Sequence, residues 1–191
     1  MDPKPLSILG SIAEHYTRDA LDFAARFDIL WENQLHKTGR IKSFVDLHMA
    51  CECALKAHVA LGRLNDDPKE VYTSIRRAGH QVAVLGKLAA LNEDRSTYDE
   101  LAARLQEFSV FFRYSLDAYE TFFPSYVERH EAKLNYGKTI GNNAWVLEVR
   151  SSLDPLLHSA NKATAGFVTG DIEAIITHER QMKEFMDGYA R

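Results

Sequence analysis

The chain has 191 residues, 46% hydrophobic and 26% charged, with a net charge of −4 spread along it without long like-charge blocks. That length fits one domain, residues 1–191, with a core of its own, and the charge balance supplies no drive for broad capture of nucleic acid or membrane while leaving room for a local basic patch. The two cysteines, Cys51 and Cys53, point in nearly opposite directions on a helix, so they do not pair as a disulfide and suit a reducing compartment.

The opening MDPKPLSILGS has neither the basic segment nor the long apolar core of a secretory signal, and no apolar run approaches the roughly 20 residues of a membrane-spanning helix. A cytoplasmic protein with no membrane partner is expected. Ile8, Ile12, Tyr16, Ala20, Phe23, Phe27, Leu30, Trp31 and Leu35 recur every three or four residues and predict a long amphipathic helix that ends at Gly39. Ser43 with Asp46 has the form of a capping box, which places a second helix from Phe44 to about Arg63. Asp67-Pro68 predicts an N-cap and first position for a short helix to Ala78. Gly79 breaks that pattern, and Val82, Val84, Leu85, Leu88 and Leu91 restart it within 80–91.

Ser96 with Asp99 opens a further helix carrying Tyr98, Leu101, Leu105 and Phe108. Between 109 and 143 the aromatic cluster Phe111, Phe112, Tyr114, Tyr119, Phe122 and Phe123 gives way to Pro124 and a polar stretch, so short helical pieces and a loop are expected. Asn143 then caps a long helix whose stripe runs from Trp145 to Phe167, interrupted or kinked at Pro155. Gly170-Asp171 stops it and caps the last helix, with Ile172, Ile175, Ile176, Met182, Met186 and Tyr189. No alternating strand pattern occurs. The expected fold is all-α, an up-and-down bundle of four main helices with additional short helices, the last forming a C-terminal helical extension.

Chemistry concentrates in HMACECALKAHVALG, 48–62. His48, Cys51, Leu55 and His58 share one arc of a helix that is apolar nearly all round, and Glu52 and Lys56 lie beside it four residues apart. A charge placed there must find a partner. His48, Cys51 and Glu52 share a face, yet the chain has no Cys-x-x-Cys, His-x-x-x-His or Glu-x-x-His, so neither a metal nor another cofactor is expected.

Three stretches, ECALKAHVALG (52–62), GHQVAVLGKLA (79–89) and FFRYS (111–115), together resemble the HEPN domains (higher eukaryotes and prokaryotes nucleotide-binding) over roughly residues 40–120. The resemblance implies a helical bundle, frequently a homodimer, in a family rich in ribonuclease toxins, antiviral defence proteins and partners of minimal nucleotidyltransferases. It singles out Glu52, Lys56, His80 and Arg113. Their types suit a buried network in which the carboxylate bridges cations, or a groove where His80, beside a helix N-terminus, and Arg113 hold a phosphate or nucleotide. The family's nucleases resemble one another in an Arg and a later His with four to six residues between them, suited to proton transfer and to charge growing on a phosphate. This chain departs from that pattern: three residues separate Arg76 from His80, seven separate Arg150 from His158, and Arg129 abuts His130. Arg150 and His158 are secondary candidates on one helix.

Tyr136-Gly137-Lys138-Thr139 imitates the end of a phosphate loop but lacks the earlier glycine, and the aromatic run suits base stacking, core or a dimer seam. His15, His36, His130 and His178 stand singly among charged residues. Three classes remain: a HEPN-like module recognising RNA, a nucleotide or a partner protein; an atypical metal-independent ribonuclease of a toxin or defence system; and an unrelated helical scaffold.

Overall fold

The computed structural model describes residues 6–33, 36–123, 134–165 and 169–189. Ser7 accepts the Gly10 N–H at 3.0 Å and opens α1, Ile8–Trp31, whose buried stripe includes Ile12, Ala20, Ala24, Phe27 and Trp31. Leu35 lies outside the described residues. α2, Lys37–Leu61, begins well before the expected start. Gly39 is helical, and Ser43 donates back to the Gly39 carbonyl at 3.1 Å instead of capping, so the capping box at Ser43 and Asp46 does not form. Burial of Ile41, Phe44, Val45 and Leu47 explains this extension: tertiary packing of the first turns outweighs the local signals.

Asp67 caps α3, Pro68–Ala78, by accepting the Lys69 N–H at 2.7 Å. Gly79 follows at φ 56°, a left-handed conformation suited to glycine. α4, Val82–Leu88, is shorter than expected. Asp94 accepts both the N–H and the hydroxyl of Ser96 at the start of α5, Ser96–Leu105, so the cap precedes the residue expected to supply it. A single turn of 3-10 helix, Val110–Arg113, leads to α6, Ser115–Phe122. After another short turn at Tyr136–Lys138, α7 runs Asn143–Thr164 straight through Pro155, capped by Asn142 rather than Asn143. Phe167 lies outside the described residues. Asp171 caps α8, Ile172–Asp187, accepting from Glu173 and Ala174.

The fold is therefore an all-α helical bundle, with no strand among the described residues. α2 is its axis, packing against α1, α3, α4, α5, α6 and α7. It is buried nearly all round, each fully buried Leu or Phe contributing about 2 kcal/mol of transfer free energy. Phe44 packs on Phe108 and Trp145, and Phe108 on Phe112 and Phe122, which locks the segment after α5 between α2 and α7. With Val110 and Phe112 buried, the 3-10 turn sends Phe111 and Arg113 outward. At the other end of α2, a Cβ on Gly62 would sit 2.6 Å from the Ala90 carbonyl carbon, so only glycine permits that crossing. No helix among the described residues is long and apolar enough to cross a membrane.

Candidate functional site

Because α2 is central, Glu52 has no exit to solvent and its side chain is 0% exposed. Lys56, one turn on, donates to Oε1 at 2.5 Å, its ammonium also standing 5.5 Å from the centre of the Tyr16 ring. His80 donates from Nδ1 to the same carboxylate, 2.8 Å from Oε2 and 3.0 Å from Oε1. The turn at Gly79 delivers that ring across α3's end. With Nδ1–H committed to Glu52, Nε2 is the ring nitrogen left free of that carboxylate, on a side chain 54% exposed.

His48 lies one turn before Glu52, fully buried, and neither of its ring nitrogens has a hydrogen-bond partner among the described residues. Burial pushes its pKa down to about 4, with Glu52 opposing and His80 reinforcing the fall, so the ring is neutral. Burial also pushes the Cys51 and Cys53 thiols up to about 12, which makes both inert as nucleophiles. Among the described residues no three His, Cys, Asp or Glu side chains are grouped to hold a metal ion.

Arg113 does not join Glu52, contrary to the expectation that all four residues converge, nor does it share a groove with His80. The reason is local: burial of Val110 and Phe112 turns its side chain to the opposite side of the 3-10 turn. There it lines a groove of about 590 Å³ between α1, α2 and that turn, with Phe23, Arg26, Lys42, Asp46 and Tyr114. Arg113 lies 4.9 Å from the centre of the Tyr114 ring and donates to the Tyr114 hydroxyl at 3.0 Å. Arg26 lies 5.6 Å from the Phe23 ring centre and 3.3 Å from the Asp46 carboxylate. The groove thus carries three cationic side chains and one carboxylate beside two aromatic rings. Charge of that kind holds a phosphate or another compact anion, and the rings offer faces to a base.

Sequence reasoning missed this groove apart from Arg113. Arg26, Lys42 and Arg113 are far apart in the chain and belong to no local pattern, and Asp46 was assigned to a cap. The only usable signal was that Arg26 and Lys42 sit on helix faces flanking apolar stripes.

The remaining candidates have structural partners. Arg150 forks onto Asp28 with two bonds of 2.9 Å and also pairs with Asp154, tying α7 to α1. His158 is exposed two turns later, while the Arg150 guanidinium is taken up by Asp28 and Asp154. His58 is a satisfied core histidine: the Tyr98 hydroxyl donates to Nδ1 at 2.7 Å, and Nε2 donates to the Leu156 carbonyl at 2.9 Å. The Asn92 N–H completes the chain by donating to the Tyr98 oxygen. Tyr136 packs against Phe122 and Phe123, which makes the stretch 136–139 a turn on an aromatic cluster. Arg129 and His130 lie outside the described residues. Compared with known protein families, with curated proteins and with solved structures, the chain matches none.

Proposed function

We propose that this protein is a HEPN-like helical module that binds RNA or a nucleotide in the groove between α1, α2 and the 3-10 turn. The single observation that carries the reading is the pairing of Arg26 with the Phe23 ring and of Arg113 with the Tyr114 ring inside one groove that also holds Lys42. The guanidinia and the ammonium take the phosphate, the rings take the base, and the groove's volume falls within the range of small-molecule sites. Kinship with HEPN domains rests on the motifs at 52–62, 79–89 and 111–115, and it adds a homodimer and a nucleotidyltransferase-like partner as the assemblies to look for.

Fluorescence anisotropy of a labelled single-stranded RNA, with unlabelled nucleotide as competitor and a chelator present, tests the reading. Replacing both Arg26 and Arg113 by Ala is expected to weaken binding at least about tenfold, and raised salt to weaken it in the wild type. Equal affinity of wild type and double variant would overturn it.

A second reading rests on a different observation. A histidine whose Nδ1 is held by a buried carboxylate and whose side chain is about half exposed has the geometry of a proton-transfer group, which suits an atypical metal-independent ribonuclease. Its test is cleavage of RNA by wild type but not by His80→Ala in the presence of chelator.

A further inference from the structure

The groove contains one carboxylate whose chemistry the phosphate-binding reading does not use. Asp46 is buried, with a side chain only 12% exposed, yet it lines the groove. Its nearest cation is Arg26, 3.3 Å from Oδ1 and itself 61% exposed. Among the described residues no N–H or O–H group makes a hydrogen bond to either oxygen. Glu52, more deeply buried on the same helix, has donors on both oxygens. The other aspartates with structural duties also have them: Asp67, Asp94 and Asp171 accept backbone N–H groups at helix starts, and Asp28 takes Arg150. Among the described residues Asp46 therefore stands apart as a largely buried carboxylate at the wall of a groove, paired with Arg26 alone and with acceptor sites to spare. Its burial also pushes its proton affinity up, partly offset by Arg26, as expected of a carboxylate short of donors.

A carboxylate presents two coplanar acceptors and is matched by two N–H donors side by side. A nucleotide that used every part of this groove would combine such a donor edge with a flat face for Phe23 or Tyr114 and an anion for Arg26, Lys42 or Arg113. Among the common nucleotides only guanine has adjacent donors, its ring N1–H and its exocyclic amine. Adenine offers its amine beside a ring nitrogen whose lone pair would face the carboxylate, and uracil offers one N–H flanked by carbonyls. We infer that the groove is selective for guanine nucleotides, with Asp46 accepting from the N1–H and amine edge while Arg26, Lys42 and Arg113 hold the phosphate. This deepens the nucleotide-binding reading above and rests on it.

Calorimetric titration of wild type with GMP, IMP, AMP and pyrophosphate, and of Asp46→Asn with the same set, tests the assignment. IMP keeps the ring N–H but lacks the amine. GMP is expected to bind about tenfold more tightly than IMP, and IMP more tightly than AMP, with the order abolished in Asp46→Asn. Pyrophosphate affinity should survive that substitution, which also shows that the variant is folded. If GMP, IMP and AMP bind wild type equally, or if Asp46→Asn keeps the preference for GMP, guanine selection is wrong while the groove stands. If neither nucleotide nor pyrophosphate binds wild type, the groove reading itself fails and selectivity with it.

Discussion

Two sites on α2, Glu52 and Asp46, stand fewer than two turns of helix apart and treat charge differently. At Glu52 the carboxylate is fully buried and fully answered, by Lys56 on its own helix and by His80 from the turn after α3. At Asp46 the carboxylate is nearly as buried, and around it Arg26, Lys42, Arg113 and two aromatic rings line an open groove. A charge whose partners come from the same chain holds elements in register, because removing one partner strands the other in a poor solvent. A charge only partly answered at a groove wall costs stability and is, on the reading proposed above, a place for a ligand.

The sharpest way to break that contrast is to remove the answered carboxylate. Glu52→Ala is expected to destabilise the fold by about 3–5 kcal/mol, since it leaves the largely buried Lys56 ammonium without its partner, with Glu52→Gln falling between it and wild type in urea unfolding. A loss within experimental error would mean that the cluster does not hold α2 to the Gly79 turn.

Acid provides the next test. The folded His48 takes up a proton only near pH 4, whereas the unfolded imidazole does so at its ordinary 6.5. Between those values the unfolded chain binds a proton that the folded chain refuses. Stability is therefore whole above about pH 6.5 and falls by on the order of 3 kcal/mol as the pH drops towards 4. His58, also held down by burial, adds to the fall, while the raised Asp46 carboxyl works in the opposite sense at its acidic end. His48→Gln should flatten the profile of unfolding free energy against pH; an unchanged slope would contradict the buried neutral ring.

Smaller again is the turn that carries His80. A Cβ at Gly79 meets nothing nearer than 3.9 Å, so Gly79→Ala has no steric conflict and only the φ of 56° to oppose it. A loss of about 1–2 kcal/mol is expected in thermal or urea unfolding. At the far end of the scale, substituting Lys42 and Arg113 together by Ala should change stability by no more than about 0.5 kcal/mol, because both are exposed and neither makes an ion pair among the described residues. A larger loss would turn the groove into another piece of scaffold.

Helical periodicity and end signals such as Asp67-Pro68, Gly79 and Asp171 were legible in the sequence because they act through neighbours three or four residues away. The burial of Glu52 was legible for the same reason, as a lone acid in an apolar helix needs cations, and Lys56 stood one turn off. Arg113 was misplaced because the buried partners of a 3-10 turn, Val110 and Phe112, decide which way it faces, and an aromatic-rich run does not reveal which rings go inside. Ser43 and Asp46 read as a cap because the local pattern is right; α1's Arg26 and the packing of α2's first turns overrode it. The groove was invisible because it is assembled from three elements with no spacing rule between them.

Amide chemical-shift mapping with GMP on the isotope-labelled protein tests the central contrast most directly. Fully answered charge as scaffold and partly answered charge as binding site predict saturable shifts at Phe23, Arg26, Lys42, Asp46, Arg113 and Tyr114, with Lys56 and His80 unmoved. Shifts centred on His80, with the groove silent, would contradict the account.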